Sequence, residues 1–451
     1  MAVSPARRAA YRVLEQVEKG GGFATELLQS AEVSRMSEAD RHLATDLVMG
    51  VLRWRGELDY QLEQLSHRPL KYFDREVVII ARLGIYQIRF LERIPKAAVV
   101  NEAVEMVKAV RKRSAAGLMN AVLRKCRPPA EGGTVLSAEV PTADNLAAAR
   151  RSLPEWLYRR WLNCFGAEGA NALAWAATRV PPTTLRVRAG AASLEAVRDR
   201  LEGEGVKTRR ARHADAALVL ESGNVHASRV VLDGEAVIQD EASQLVGALV
   251  SPEPGSLVLD LCAAPGLKAL QMADHMGSGR IVACDLSVRR LQTMARLYQG
   301  RVPTPVSLHL LRLDATQPLP FHACFDRVLA DVPCSGTGTL ARNPEIKWRL
   351  QPRDIARLQN MQKKILQCGL AVLAPHGRLI YSTCSLEPEE NEQVVEQVLD
   401  SQKGFRVVGP QDLDPALAEL ATFFDSQGFF RTRPDLHSMD GFFAAVIERC
   451  Q

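Results

Sequence analysis

At 451 residues the chain is too long for one hydrophobic core, and two or three domains are expected. Its apolar and charged fractions, 47% and 24%, are those of a soluble globular protein, and nine cysteines without any C-x-x-C pair argue against a disulfide framework and a zinc ribbon. The net charge of +5 is uneven: residues 1–130 carry 22 Lys and Arg against 15 Asp and Glu, so the positive excess lies in the first third and suggests a polyanion partner as readily as a solvated helical surface.

Residues 1–130 read as an all-α bundle. Ser4-Pro5 is an N-cap followed by proline at the first helical position, and Tyr11, Leu14 and Val17 keep a helical spacing until Gly20-Gly21-Gly22 breaks it. A second start at Ser37 precedes Leu43, Leu47, Val51 and Leu58 on one face, and helices follow at about residues 74–92, 97–112 and 114–126. The most apolar stretch, residues 77–91, is interrupted by Arg82, Gln87 and Arg89 and cannot span a bilayer, and no signal core follows Arg7 and Arg8. A cytoplasmic location with no membrane partner is expected. The basic runs at residues 111–113 and 124–127 fit either helix-end cations or an RNA contact.

Residues 131–150 read as a Pro- and Gly-rich linker, and residues 151–238 as a small α/β module with strands near 184–188, 217–221 and 236–239 around a helix at 194–204. Arg186, Arg188, Arg209, Arg210 and Arg212 are candidates for a phosphate backbone or for plain surface. Residues 239–451 alternate strand and helix at the spacing of a doubly wound parallel sheet, with strands near 257–261, 280–284, 306–311, 326–330 and 378–381 and a late one at 441–448.

The chemistry-bearing residues fall at the strand ends, where ligands of such sheets bind. The loop Cys262-Ala263-Ala264-Pro265-Gly266-Leu267-Lys268 follows the first strand, and Asp285, Asp314 and Asp331 end the next three. The loop has neither G-x-G-x-x-G nor a Walker lysine, which disfavours a dinucleotide or ATP. Acids at one edge, with Asp260 as a fourth, suit a ligand carrying ribose hydroxyls, an adenine amine and a cation, as S-adenosylmethionine does. No metal site is expected. Two thiols, Cys334 and Cys384, also follow strands. Beside such a pocket they point to cytosine C5 chemistry. That carbon is too electron-poor to take a methyl cation directly, and a thiolate adding to C6 turns it into an enamine carbon.

The motifs Leu257-Val258-Leu259-Asp260-Leu261-Cys262-Ala263-Ala264-Pro265-Gly266, Asp331-Val332-Pro333-Cys334-Ser335-Gly336-Thr337-Gly338, Asn343-Pro344-Glu345-Ile346-Lys347-Trp348 and Tyr381-Ser382-Thr383-Cys384-Ser385-Leu386-Glu387-Pro388-Glu389-Glu390-Asn391 resemble those of the RNA cytosine-C5 methyltransferases. The stretches from Asp40-Arg41 to Arg55, Arg82 to Gln87, Asn101 to Val104 and Asn120 to Arg124 resemble a NusB-type RNA-binding domain. With Gln239-Asp240-Glu241-Ala242-Ser243, the pattern is that of the bacterial Sun/RsmB type. The resemblance implies a Rossmann-like methyltransferase domain behind a NusB-like bundle, rRNA processing by methylation at cytosine 967 of 16S rRNA, and no obligate protein partner. It also implies that Cys384 is the nucleophile, that Cys334 is needed to release the adduct, and that residues 262–268, Asp285, Asp314 and Asp331 hold S-adenosylmethionine. The alternatives are the same chemistry on tRNA or 23S rRNA, or a non-catalytic RNA-binding assembly factor.

One departure stands out. The family loop usually reads Pro-Gly-Gly-Lys-Thr, and here it is Pro265-Gly266-Leu267-Lys268-Ala269. Because Leu267 falls where a helix begins, a negative φ is expected there, with its side chain turned away from the cofactor.

Overall fold

The computed structural model describes residues 3–128, 142–190 and 192–450. The chain divides into two compact units, residues 1–180 with Leu340–Leu350, and residues 181–339 with Gln351–Gln451.

The first unit is helical. Its longest helix, Glu38–Ser66, starts at Ser37, whose side chain accepts from the Asp40 amide, and stops at His67 in the left-handed conformation. Glycines on this helix admit its neighbours. A Cβ at Gly50 would lie 1.9 Å from the Tyr86 ring, and one at Gly56 would lie 1.7 Å from the Arg151 carbonyl oxygen. The helices Arg75–Phe90 and Ala143–Arg151 therefore dock there. Arg151 then pairs with buried Glu57 at 2.6 Å. Ser4 does precede a helix, but its hydroxyl donates to Glu102 at 2.8 Å and does not cap its own helix.

The expected linker at 131–150 lies largely outside the described residues, and its described end, Ala143–Arg151, is helix. Helix Glu155–Ala176 packs in this unit, with Trp175 edge-on to Trp54 at 6.2 Å. The motif around residues 343–348 also folds here. Lys347 Nζ donates to the Arg53 carbonyl at 2.7 Å, Trp348 Nε1 to that of Leu52 at 2.8 Å, and Glu345 Oε1 accepts from the Ala24 amide at 2.7 Å.

The second unit holds two sheets. The smaller contains β1 (Thr184–Val187), β2 (Lys207–Arg210), β3 (Ala217–Ser222) and β4 (Ala236–Ile238) in the order β2-β3-β1-β4, all antiparallel. Two of its arginines fit neither expected role, phosphate contact or plain surface. Arg186, 1% exposed, and Arg188 both close on Asp274, at 2.8 and 2.6 Å, and Arg186 also donates to the Leu267 carbonyl at 3.3 Å. They brace the helix Leu267–His275.

The larger sheet is built from β5 (Leu257–Asp260), β6 (Gly279–Asp285), β7 (Val306–Arg312), β8 (Phe325–Asp331), β9 (Leu373–Thr383), β10 (Phe405–Val407), β11 (Phe430–Arg431) and β12 (Phe443–Arg449). Its order is β10-β12-β9-β8-β5-β6-β7, with β11 beside β12. Strands β5 to β9 are parallel, and β12 runs antiparallel to β9. Alternate residues along each strand fill the two faces. Val258, Leu329 and Ile380 enter one core, and Leu259, Val328 and Leu379 the other. The chain runs outward from β5 to β7 and then returns to β8 on the other side of β5. The crevice at that reversal is where an open α/β sheet takes its ligand.

Candidate active site

The loop after β5 forms one wall of that crevice. Gly266 has φ 104°, a conformation side chains rarely adopt, and a Cβ there would lie 2.5 Å from the Tyr298 hydroxyl, which donates to the Gly266 carbonyl at 3.0 Å. Leu267 opens the helix and is not among the positive-φ residues, so Gly266 alone carries the left-handed turn and the Leu267 side chain packs against the core. The expectation of a negative φ at Leu267 holds.

The acids differ sharply in environment. Asp260 is 1% exposed, and neither carboxylate oxygen has a hydrogen-bond partner of normal geometry among the described residues. Burial, then the charge of Asp331, pushes its pKa up to about 8, so it is protonated at neutral pH. Asp331 is ionically paired. It accepts from Lys268 Nζ at 2.6 Å and from the Ser382 hydroxyl at 2.8 Å, and Lys268 also lies over the Phe442 ring, 5.0 Å from its centre. Asp285 accepts from the Ser287 amide at 2.7 Å and faces Arg290 at 3.4 Å, and Arg290 reaches the Ala264 carbonyl at 3.1 Å. Asp314 follows β7 and is exposed. Its carboxylate takes the amide and hydroxyl of Thr316, which hold its pKa below the usual range. Burial and the neighbouring carboxylates push the Cys262 thiol well up, and this leaves it an inert thiol.

The opposite wall carries the thiol pair. Cys334 leaves the end of β8 and Cys384 the end of β9, and adjacent parallel strands bring their sulfurs to 3.3 Å. The Cys384 thiol as hydrogen-bond partner, then burial, pushes the Cys334 pKa well up. The Gly-rich turn exists for close backbone approach. Gly338 N donates to the Cys384 carbonyl at 2.9 Å and Gly441 N to the Gly338 carbonyl at 2.8 Å, and a Cβ at Gly338 would lie 2.0 Å from the Gly441 oxygen.

Sequence reasoning gave no role to several residues here, Glu390 and Asn391 among them although both lie in a quoted motif. Glu390, Asn391 and Gln362 are all buried around the two thiol-bearing turns, and Phe442 covers Lys268. Acids in a run after a strand read as a solvated helix start, so periodicity gave no sign of Glu390. Its place a few residues beyond a strand-end cysteine was the available signal.

Comparison with known proteins divides the chain in three, and the middle match runs across residue 180. Residues 247–448 match the family described as 16S rRNA methyltransferase RsmB/F, residues 4–128 the NusB family, and residues 153–226 the ferredoxin-like domain of RsmF/B-like methyltransferases. The probable ribosomal RNA small subunit methyltransferase B of Bacillus subtilis is 31% identical over 447 residues, 98% of each chain. Among solved structures, PH0851 covers 100% of both chains with a TM-score of 0.77 at 22% identity. NSun6 from Pyrococcus horikoshii with SFG covers 66% of this chain and 98% of its own with a TM-score of 0.57 at 19% identity. These two likenesses show the fold.

Proposed function

This chain belongs to the RsmB/F family of 16S rRNA methyltransferases, and from that premise we propose that it methylates C5 of a cytosine in 16S rRNA, at position 967, through a covalent adduct on Cys384. The observation that carries the proposal is the pair of sulfurs 3.3 Å apart at neighbouring strand ends, beside the loop that follows β5.

The cofactor is S-adenosylmethionine, which when bound supplies the methyl group as an electrophile. The residues present fit such a ligand. Buried Asp260, whose carboxyl oxygens have no hydrogen-bond partner of normal geometry, and Asp285 at the end of β6 offer polar groups to hydroxyls, and the Asp331 carboxylate, paired with Lys268, adds negative charge for a cation. In the proposal, residues 262–268, Asp285, Asp314 and Asp331 hold it.

The remaining chemistry belongs to the chain. The Cys384 thiolate adds to C6 of cytosine, and the electron pair this delivers makes C5 nucleophilic. The Lys268–Asp331 pair supplies a proton-bearing group and an acceptor beside the site, where charge on the base ring must be stabilised. A solvent water takes the proton from methylated C5, the electron pair left behind forms the C5=C6 bond, and the C6–S bond breaks with its electrons on sulfur. Cys334, held as a thiol 3.3 Å from the departing sulfur, is within reach to return a proton to it.

No helix among the described residues is long and apolar enough to cross a membrane. A cytoplasmic site of action on rRNA is part of the same proposal. The test is transfer of labelled methyl groups to unmethylated 16S rRNA, with tRNA and 23S rRNA in competition and the site mapped. Incorporation elsewhere than cytosine C5, or a preference for another RNA, refutes it. Cys384→Ser should abolish transfer, and Cys334→Ala should leave enzyme covalently trapped on RNA. Equal loss without trapping would refute the division of roles.

A further inference from the structure

The chemistry above makes no use of the acidic run Glu387-Pro388-Glu389-Glu390-Asn391. Glu390 is fully buried, and a carboxylate in that position is costly unless donors surround it. Here four neutral donors do. Its Oε1 accepts from the Ser335 amide and from Gln362 Nε2, both at 2.9 Å. Its Oε2 accepts from the Ser385 hydroxyl at 2.6 Å and from the Ser335 hydroxyl in a very short contact, and the two hydroxyls are 3.0 Å apart.

Ser335 directly follows Cys334, and Ser385 directly follows Cys384. One carboxylate therefore grips both thiol-bearing turns through charge-assisted hydrogen bonds, which are stronger and more directional than neutral ones. The residues before the thiols are held as well. Gln362 Nε2 donates to the Pro333 carbonyl at 3.0 Å. Asn391 Oδ1 accepts from the Thr383 hydroxyl at 2.5 Å while its Nδ2 donates to the Ser385 carbonyl at 2.9 Å. The Glu390 backbone is pinned in turn by the Tyr381 hydroxyl, 2.6 Å from its carbonyl oxygen.

We propose that Glu390 is a positioning residue that sets the separation of the Cys334 and Cys384 sulfurs, with Gln362 and Asn391 completing the clamp. Its bearing on methyl transfer rests on the covalent role proposed for Cys384; the geometric claim does not. The same negative charge works with the Cys384 hydrogen bond and with burial to keep Cys334 protonated.

Thiol–thiol distance can be read without catalysis. Diamide oxidises a close pair: each thiol gives up a proton and an electron, the S–S bond forms, and the azo bond of diamide takes up both to become a hydrazine. The full-length protein is treated with diamide, remaining thiols are alkylated, and the Cys334–Cys384 linked peptide is followed by mass spectrometry. The wild-type protein should form that link readily. Glu390→Ala should form it about tenfold more slowly and lose on the order of a hundredfold in kcat, while the dissociation constant for S-adenosylmethionine stays within about twofold. Glu390→Gln keeps the shape and can still meet both hydroxyls, so it should restore the cross-linking rate to within about threefold of wild type. Should Glu390→Ala fail to fold, the double variant Ser335→Ala/Ser385→Ala removes only the hydroxyl ends of the clamp and should slow the link in the same direction. A folded Glu390→Ala protein, or that double variant, that cross-links at the wild-type rate overturns the proposal. If instead the cross-linking results hold but Cys384→Ser still transfers methyl groups, it is the covalent mechanism that fails, and the clamp stands.

Discussion

Asp260 offers a direct measurement of the electrostatics of the ligand crevice. It is buried at the end of β5 with no hydrogen-bond partner of normal geometry, and its pKa rises from 3.8 to about 8. Folded protein therefore keeps a proton that the unfolded chain releases above pH ~4, so stability falls as pH rises from there to about 8 and then levels off. The full gap corresponds to on the order of 6 kcal/mol, of which roughly 4 kcal/mol is lost between pH 5 and pH 9. Asp260→Asn preserves the shape and cannot ionise, so this component of the slope disappears. In thermal melts without cofactor, the midpoint of the variant minus that of the wild type should increase by about 8 °C from pH 5 to pH 9, taking roughly 2 °C per kcal/mol for a protein of this size. A difference that stays constant across that range would show that Asp260 is ionised in the folded protein, and the reasoning from burial would be wrong.

Leu267→Gly should leave the dissociation constant for S-adenosylmethionine within about twofold, because the backbone there is already helical, but should cost about 2 kcal/mol in urea unfolding through lost burial and helix entropy. Gly338→Ala sets a methyl group 2.0 Å from a backbone oxygen on the neighbouring loop, so the two loops must part; methyl transfer should fall at least about a hundredfold in a single-turnover assay. Arg186→Met removes one of two cations from fully buried Asp274 and should destabilise the second unit by about 3 kcal/mol, read from the shift of its urea midpoint. An unchanged midpoint would mean that Arg188 alone satisfies Asp274.

The parallel strands were readable because each is a short apolar run ended by an acid or a turn former, and the chemistry sits just past those ends. β2 was not, since Lys207-Thr208-Arg209-Arg210 has no apolar alternation and lies along the sheet edge. The early start of β9 was hidden by Pro375-His376-Gly377, which reads as a turn but forms part of an 11-residue strand, with His376 at φ 61°. The helix Ala143–Arg151 was masked by the Pro and Gly composition just before it. In the site, thiols and strand-end acids declare themselves by residue type and position. Buried charges do not: Glu390 and Arg186 look like solvated surface until the structure shows what encloses them. Arg82 is the same case in the bundle, buried against Asp59 and Glu18.

The helical unit is not one continuous length of chain. Leu340–Leu350, far downstream in sequence, fills it with a wholly buried lysine and three anchoring side chains. A gene fragment ending near residue 180 therefore encodes the helices without one of their packing partners, and a fragment starting there carries an orphaned insert. The two halves are not exchangeable cassettes. A swap of the front domain between relatives must carry this eleven-residue insert along with it or forfeit the contacts it makes, and a peptide of that sequence supplied in trans is the natural complement of the truncated bundle.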